Sequence, residues 1–142
     1  MEGNSQNIAP QSLGVTETIV ETFVTRDLVL VLPSPLAVAR FVPDFDKIEA
    51  TDGFHALIVT AKSSENSYVL RYFAPQIGIP EDLATGSAQC SLAPYWFNQL
   101  NKNRLSAQQM SATGGYFEVE KTSSSTITVS AAVKLRQSMD IG

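Results

Sequence analysis

Hydrophobic positions in this chain fall first into extended runs. "TETIVETFVT" (16–25) and "DLVLVLP" (27–33) read as strands. The second is apolar on both parities, Leu28, Leu30 and Leu32 against Val29 and Val31, which predicts a strand covered on both faces. "SPLAVARF" (34–41) and "PDFDKIEA" (43–50) predict two short helices, each opened by a capping residue or a proline near the first turn. "FHALIVTA" (54–61) and "SYVLRYFA" (67–74) return to strand character, rich in β-branched and aromatic residues. Later, "AQQMSA" (107–112), "YFEVEKT" (116–122) and "STITVSAAVKLR" (125–136) predict three more strands. In the last, Ile127, Val129, Ala131, Val133 and Leu135 share one parity while Thr126, Thr128, Ser130, Lys134 and Arg136 take the other, so one face is dry and one wet.

Between these strands lies a segment of helical character whose apolar arc is unusually wide. At about 100° per residue, Ser87, Ser91, Pro94 and Asn98 form one narrow stripe. Most of the remaining arc carries Ala88, Cys90, Leu92, Ala93, Tyr95, Trp96, Phe97 and Leu100, with Gln89 and Gln99 as exceptions. A helix resting on one sheet needs only an apolar stripe, so this one is expected inside a curved sheet, with one thin polar edge. Pro94 removes the hydrogen bond to the Cys90 carbonyl and is expected to bend the helix there. The fold class is α+β: a strongly curved, mostly antiparallel sheet wrapped around one central helix. Residues 1–14 read as a flexible N-terminal arm and 15–142 as a single lobe.

Composition narrows the function. The 142 residues carry a net charge of −4 with no Lys/Arg cluster, which argues against nucleic acid as a partner. No apolar run approaches the roughly 20 residues of a membrane helix, and "MEGNSQNIAPQS" has neither the basic nor the apolar region of a secretory signal. One cysteine, Cys90, and one histidine, His55, exclude an internal disulfide, a thiolate cluster and a multi-His metal site. The expected compartment is the cytoplasm.

Chemistry concentrates at "IGIPEDLATGSAQCSLAPYW" (77–96). The first turn of a helix has N–H groups without partners and partial positive charge. In "ATGSA", Gly86 lets the backbone approach a ligand and Ser87 can cap the helix or offer its hydroxyl, a combination suited to a carboxylate or phosphate. Asp82 lies a few residues upstream and can exchange protons with a carbon acid or enol. The same pattern also serves plain helix capping, with acidic residues complementing the dipole. Cys90 reads either as an inert core residue or as a nucleophile, and His55 as structural or surface. Arg71 reads as a snorkelling side chain or an anion ligand. Tyr72, Phe73 and Trp96 read as core.

This stretch resembles the phenazine-biosynthesis isomerase (PhzF-like) family, whose fold is shared with diaminopimelate epimerase. The similarity rests on "RYFAP" (71–75), "GIPEDLATGSA" (78–88) and "CSLAPYW" (90–96), with "VPDFDKI" (42–48), "ALIVTAK" (56–62) and "MSATGGYFEVE" (110–120) in the family's order. It spans roughly residues 15–137 and matches the family's second lobe. The resemblance implies that Asp82 shares in proton transfer, that Thr85, Gly86 and Ser87 hold a substrate carboxylate, with Ser87 also part of the catalytic set, and that no metal or organic cofactor is needed. Leu83 stands where the family usually has proline, and Thr113 where it often has arginine. The first lobe's motifs, with the glutamate usually assigned as principal acid/base, have no counterpart. The expectation is a half-length isomerase/epimerase-type protein acting on a small carboxylic acid, its site completed by a homodimer partner or a separate first-lobe chain. The alternatives are a non-catalytic carboxylate-binding or interaction protein, and the C-terminal portion of a longer protein.

Overall fold

A computed structural model of the chain describes residues 18–50, 54, 56–75, 79–82, 88–110, 114–124, 126–131 and 136–140. Among these, nine strands form one sheet. β1 (Glu21–Val24) pairs antiparallel with β2 (Leu28–Val31), which runs parallel to β3 (Leu57–Ser64). β4 (Ser67–Ala74) is antiparallel to β3 along its length. Its other edge is shared: the N-terminal half takes β6 (Arg104–Gln109) in parallel, and the C-terminal half takes the short β5 (Ile79–Asp82) antiparallel. β7 (Gly115–Lys121), β8 (Thr126–Ala131) and β9 (Arg136–Asp140) complete an antiparallel meander.

The central helix is α3 (Gln89–Leu100). Its Leu92, Ala93, Trp96 and Phe97 form one buried cluster with inward side chains of β2, β3, β4, β6, β7 and β8, from Val29 and Ile58 through Tyr68 and Leu70 to Leu105, Phe117 and Val129. One helix can touch six strands only if the sheet curves round it, as the wide apolar arc predicts. Each Leu- or Phe-sized side chain sealed there contributes about 1.5–3 kcal/mol relative to exposure. At its C-terminus, Asn101 adopts the left-handed conformation (φ 54°, ψ 49°) and donates its N–H to the Phe97 carbonyl, ending the helix.

A second core lies on the outer face. Leu28, Leu30 and Leu32, with Leu57, Val59, Val69 and Phe73, pack against Val38, Phe41 and Ile48. These last belong to or adjoin α1 (Pro35–Arg40) and α2 (Phe45–Glu49). The Ser34 side chain accepts from the Ala37 N–H and that of Asp44 from the Lys47 N–H, so both short helices start on side-chain caps. The two-sided apolar strand at 28–32 is thereby explained: α3 covers one face and α1–α2 the other.

Several sequence expectations need correction. Residues 79–82 form a strand that pattern reading missed, because Pro80 and two acidic residues hide the alternation. The C-terminal run is not one strand: β8 ends at Ala131 and β9 pairs back on it, Thr126 opposite Asp140. Pro94 lies inside α3, which extends past it to Leu100. The expected polar edge of α3 is only partly wet, since Asn98 is exposed but Ser91 is buried. Gln89, an exception on the apolar arc, is fully buried and accepts a hydrogen bond from the Tyr68 hydroxyl. The N-terminal arm lies outside the described residues.

Candidate functional site

The candidate segment runs from the end of β5 to the start of α3. Asp82 closes β5, its Cα paired with that of Tyr72 on β4. Six positions later Ala88, fully buried, stands at the N-cap of α3. Alanine has no side chain with which to cap, and no side-chain hydrogen bond is made there. Thr85, Gly86, Ser87 and Leu83 lie outside the described residues, as do His55 and Thr113. What is placed is the frame: the end of β5 at Asp82 and the start of α3 after Ala88.

Arg71 holds that frame. It is neither a snorkelling residue nor a free anion ligand. Its Nε and Nη2 donate to Glu81 Oε2 and Oε1 at 2.9 and 3.1 Å, a bidentate pair. Its Nη1 donates to the carbonyls of Val38 and Phe41 at 3.2 and 2.7 Å, at the C-terminal end of α1. The guanidinium also lies 5.0 Å from the centre of the Phe73 ring. One mostly buried cation therefore ties β4, β5 and α1 together immediately before Asp82.

On the other flank, α3 is fastened by its own side chains. The Trp96 indole donates to Thr60 Oγ1 at 3.1 Å, and that hydroxyl donates to the Val69 carbonyl at 2.6 Å. Trp96 stacks on Tyr68 at 5.9 Å and meets Tyr95 edge-on at 4.9 Å. Burial pushes the Tyr68 hydroxyl well above the usual tyrosine range. The Tyr95 hydroxyl is pushed up to about 12, first by desolvation and then by its hydrogen bond to Glu21 and that residue's charge. Tyr72, Phe73 and Trp96 are core residues, and Cys90 is half-buried.

Sequence reasoning missed Asp27, between β1 and β2. It is fully buried, and its Oδ2 accepts from the Ser91 hydroxyl in the first turn of α3 at 3.1 Å. The only hint was an acidic residue abutting the apolar run of β2. Among the described residues no group of three or more His, Cys, Asp or Glu side chains could hold a metal ion. A cavity of about 390 Å³ opens elsewhere, lined largely by outward-facing residues of the sheet such as Ser106, Gln108, Tyr116 and Glu118. Its place on the opposite face from α3 separates it from the candidate segment.

A family model, PhzC-PhzF, described as phenazine biosynthesis-like protein, matches residues 4–141. This chain belongs to the PhzC-PhzF family. An uncharacterised isomerase of Vibrio cholerae is 61% identical over 117 residues, covering 82% of this chain and 42% of that protein. An uncharacterised isomerase of Pseudomonas aeruginosa is 47% identical over 91 residues, 64% of this chain and 34% of the relative. The crystal structure of a PhzF-family phenazine biosynthesis protein from Enterococcus faecalis superposes with a TM-score of 0.75 at 35% identity, over 90% of this chain and 50% of that one. A putative phenazine biosynthesis PhzC/PhzF protein from Clostridium difficile gives 0.79 at 29% identity, over 99% and 53%. The chain thus spans about half the length, or less, of these PhzC-PhzF relatives. No helix among its described residues is long and apolar enough to cross a membrane.

Proposed function

We propose that this PhzC-PhzF chain is a half-length isomerase/epimerase-type protein that handles a small carboxylic acid by proton transfer, its site completed by a second polypeptide. The observation that carries the reading is the placement of Asp82 at the end of β5 and of the α3 N-terminus six positions later, with the family's motif between them in sequence. First-turn amides at a helix N-terminus and the helix dipole favour an anion. In this reading Thr85, Gly86 and Ser87 hold the carboxylate, Asp82 moves the proton, and Ser87 adds its hydroxyl. The same amides stabilise the negative charge that develops when a proton leaves carbon. No metal or organic cofactor enters the scheme.

The chain covers 42% of its Vibrio relative and 50% of the Enterococcus structure, and in this reading a second polypeptide supplies the rest of the site. A two-fold dimer supplies it most simply: each copy lends an Asp82 and a Ser87 to a shared cleft. Two carboxylates brought close then titrate apart, which makes an acid/base pair. The test is exchange of substrate C–H for deuterium in D₂O across a panel of small carboxylic acids, followed by NMR. Exchange abolished by Asp82→Asn supports the enzyme.

The alternative is a carboxylate-binding or interaction protein without turnover, favoured by the lack of any residue matching the family's first-lobe glutamate. Thermal stabilisation by a carboxylic acid, lost in Ser87→Ala and without C–H exchange, selects this second reading.

A further inference from the structure

Six of the ten exposed residues between Pro33 and Ala50 are apolar, among them Leu36 at 58%, Val42 at 74% and Phe45 at 37% exposure. Between Asn98 and Ser124 the balance is the opposite: of the fourteen described residues that are exposed there, Tyr116 alone is hydrophobic. The apolar character of the α1–α2 layer is therefore local, and an apolar patch of this kind marks an interaction surface. Helix geometry sets its residues in pairs. On α1 Val38 points into the outer core, and Leu36 and Arg40 each lie about 200° from it, on the outward side. On α2 Ile48 is the buried residue, and Phe45 and Glu49 lie about 40° apart on one flank. Each short helix thus presents an apolar residue and, one turn on, a charge that is basic on α1 and acidic on α2. Among the described residues neither Arg40 nor Glu49 makes an ion pair.

An apolar centre edged by charges of both signs is the composition of a protein–protein interface. Here the two signs sit on different helices, so the face is complementary to itself. A two-fold axis beside it lays α1 of one copy on α2 of the other and, by symmetry, α2 on α1. We propose that the outer surface of α1 and α2 docks a second copy of this chain as a two-fold pair, with one copy's Leu36 against the other's Phe45 and its Arg40 against the other's Glu49. The exposed charges of the layer, Arg40 and Lys47 against Asp46 and Glu49, cancel, whereas the whole chain carries −4. Two copies therefore meet here without the repulsion that their net charge sets up elsewhere. The inference names the partner of the functional reading and rests on its premise that a second polypeptide joins this chain. The layer also borders the strand that ends at Asp82, because Arg71 ties the Phe41 carbonyl to Glu81.

Charge reversal tests the pairing. Analytical ultracentrifugation of the full chain reads the dimer dissociation constant in wild type, Arg40→Glu, Glu49→Arg and the double reversal. Each single reversal sets like charges together at both symmetric contacts and raises the constant by about tenfold or more. The double reversal exchanges the two signs and recovers most of the affinity. An equimolar mix of the two single variants forms a mixed dimer tighter than either variant alone, because opposite signs meet again at both contacts. Val42→Asp, at an exposed position that the core does not use, also weakens the dimer. A wild-type dimer that every variant leaves unchanged overturns this face while a dimer formed elsewhere on the chain still stands. Loss in both single variants without rescue by the double reversal or the mix overturns the pairing of Arg40 with Glu49, and with it this geometry. A wild-type monomer at micromolar concentration overturns the proposal and leaves a separate first-lobe chain as the second polypeptide.

Discussion

Arg71 and Glu81 meet through two parallel hydrogen bonds of 2.9 and 3.1 Å, with both side chains largely shielded from water. That pair fixes the position immediately before Asp82, while the third guanidinium nitrogen holds the end of α1. Truncating Arg71 to alanine leaves a carboxylate and several carbonyls without a donor. The expected loss is about 2–4 kcal/mol in urea unfolding. Arg71→Lys recovers less than half of it, because an ammonium cannot serve a bidentate carboxylate and the α1 carbonyls together. Full recovery by lysine would show that charge alone, not the fork, matters.

Tyr68 and Gln89 make a buried hydrogen bond between β4 and the first turn of α3. Removing one partner strands the other without water. Tyr68→Phe alone is therefore expected to cost about 1–3 kcal/mol, with Gln89→Leu of similar size. In the double variant neither member of this bond is left behind, so the combined loss is smaller than the sum of the two. A double-mutant cycle by chemical denaturation measures this coupling, and strict additivity would contradict it.

Much of this architecture was legible because it follows from period and capping. The two-parity run 28–32 announced its two covers, and the broad apolar arc of α3 announced a curved sheet. Ser34 and Asp44 marked helix starts by their side-chain chemistry. What could not be read depends on pairing across distance. Ser91 looks solvent-facing on a helical wheel, and only the fold brings Asp27 to it from 64 positions away. Arg71 likewise offers no sign in its own strand that Glu81 and the α1 carbonyls await it. β5 was obscured by Pro80, and β9 by its continuity with the apolar end of β8. Thr85, Gly86 and Ser87 stand out in the sequence only through the family motif, and they lie outside the described residues.

Tyr95 should make the protein alkali-sensitive. Its hydroxyl titrates near 12 in the folded state, above the ordinary tyrosine value near 10 that applies once the chain unfolds. A raised folded value means that the native state holds the proton more tightly. The stabilisation is thus complete below pH 10 and is lost as pH rises from about 10 to 12. Tyr95 is partly solvated, so the slope is modest. Tyr95→Phe should flatten part of the stability decline across that window and remove one tyrosinate component near pH 12 from the absorbance titration at alkaline pH. An unchanged titration would place the Glu21 contact outside the solution structure.

A chain that spans half the length of its relatives can complete a site by pairing with a second copy. This chain covers 50% and 53% of the two solved structures it superposes on, so one copy supplies about one half of such a molecule. The described residues have a core of their own around α3. Yet Val20, Leu36, Val42 and Phe45 stay exposed, apolar surface that association can cover. A homodimer built on this logic should show twice the chain's mass by light scattering at micromolar concentration, with an interface of at least about 1,000 Å². It should also show complementation. Mixing Asp82→Asn with Ser87→Ala subunits should restore part of the C–H exchange that neither homodimer supports, because mixed dimers keep one intact copy of each group. A stable monomer at that concentration would remove the shared cleft and leave a separate first-lobe chain, or carboxylate binding without turnover, to account for the motif.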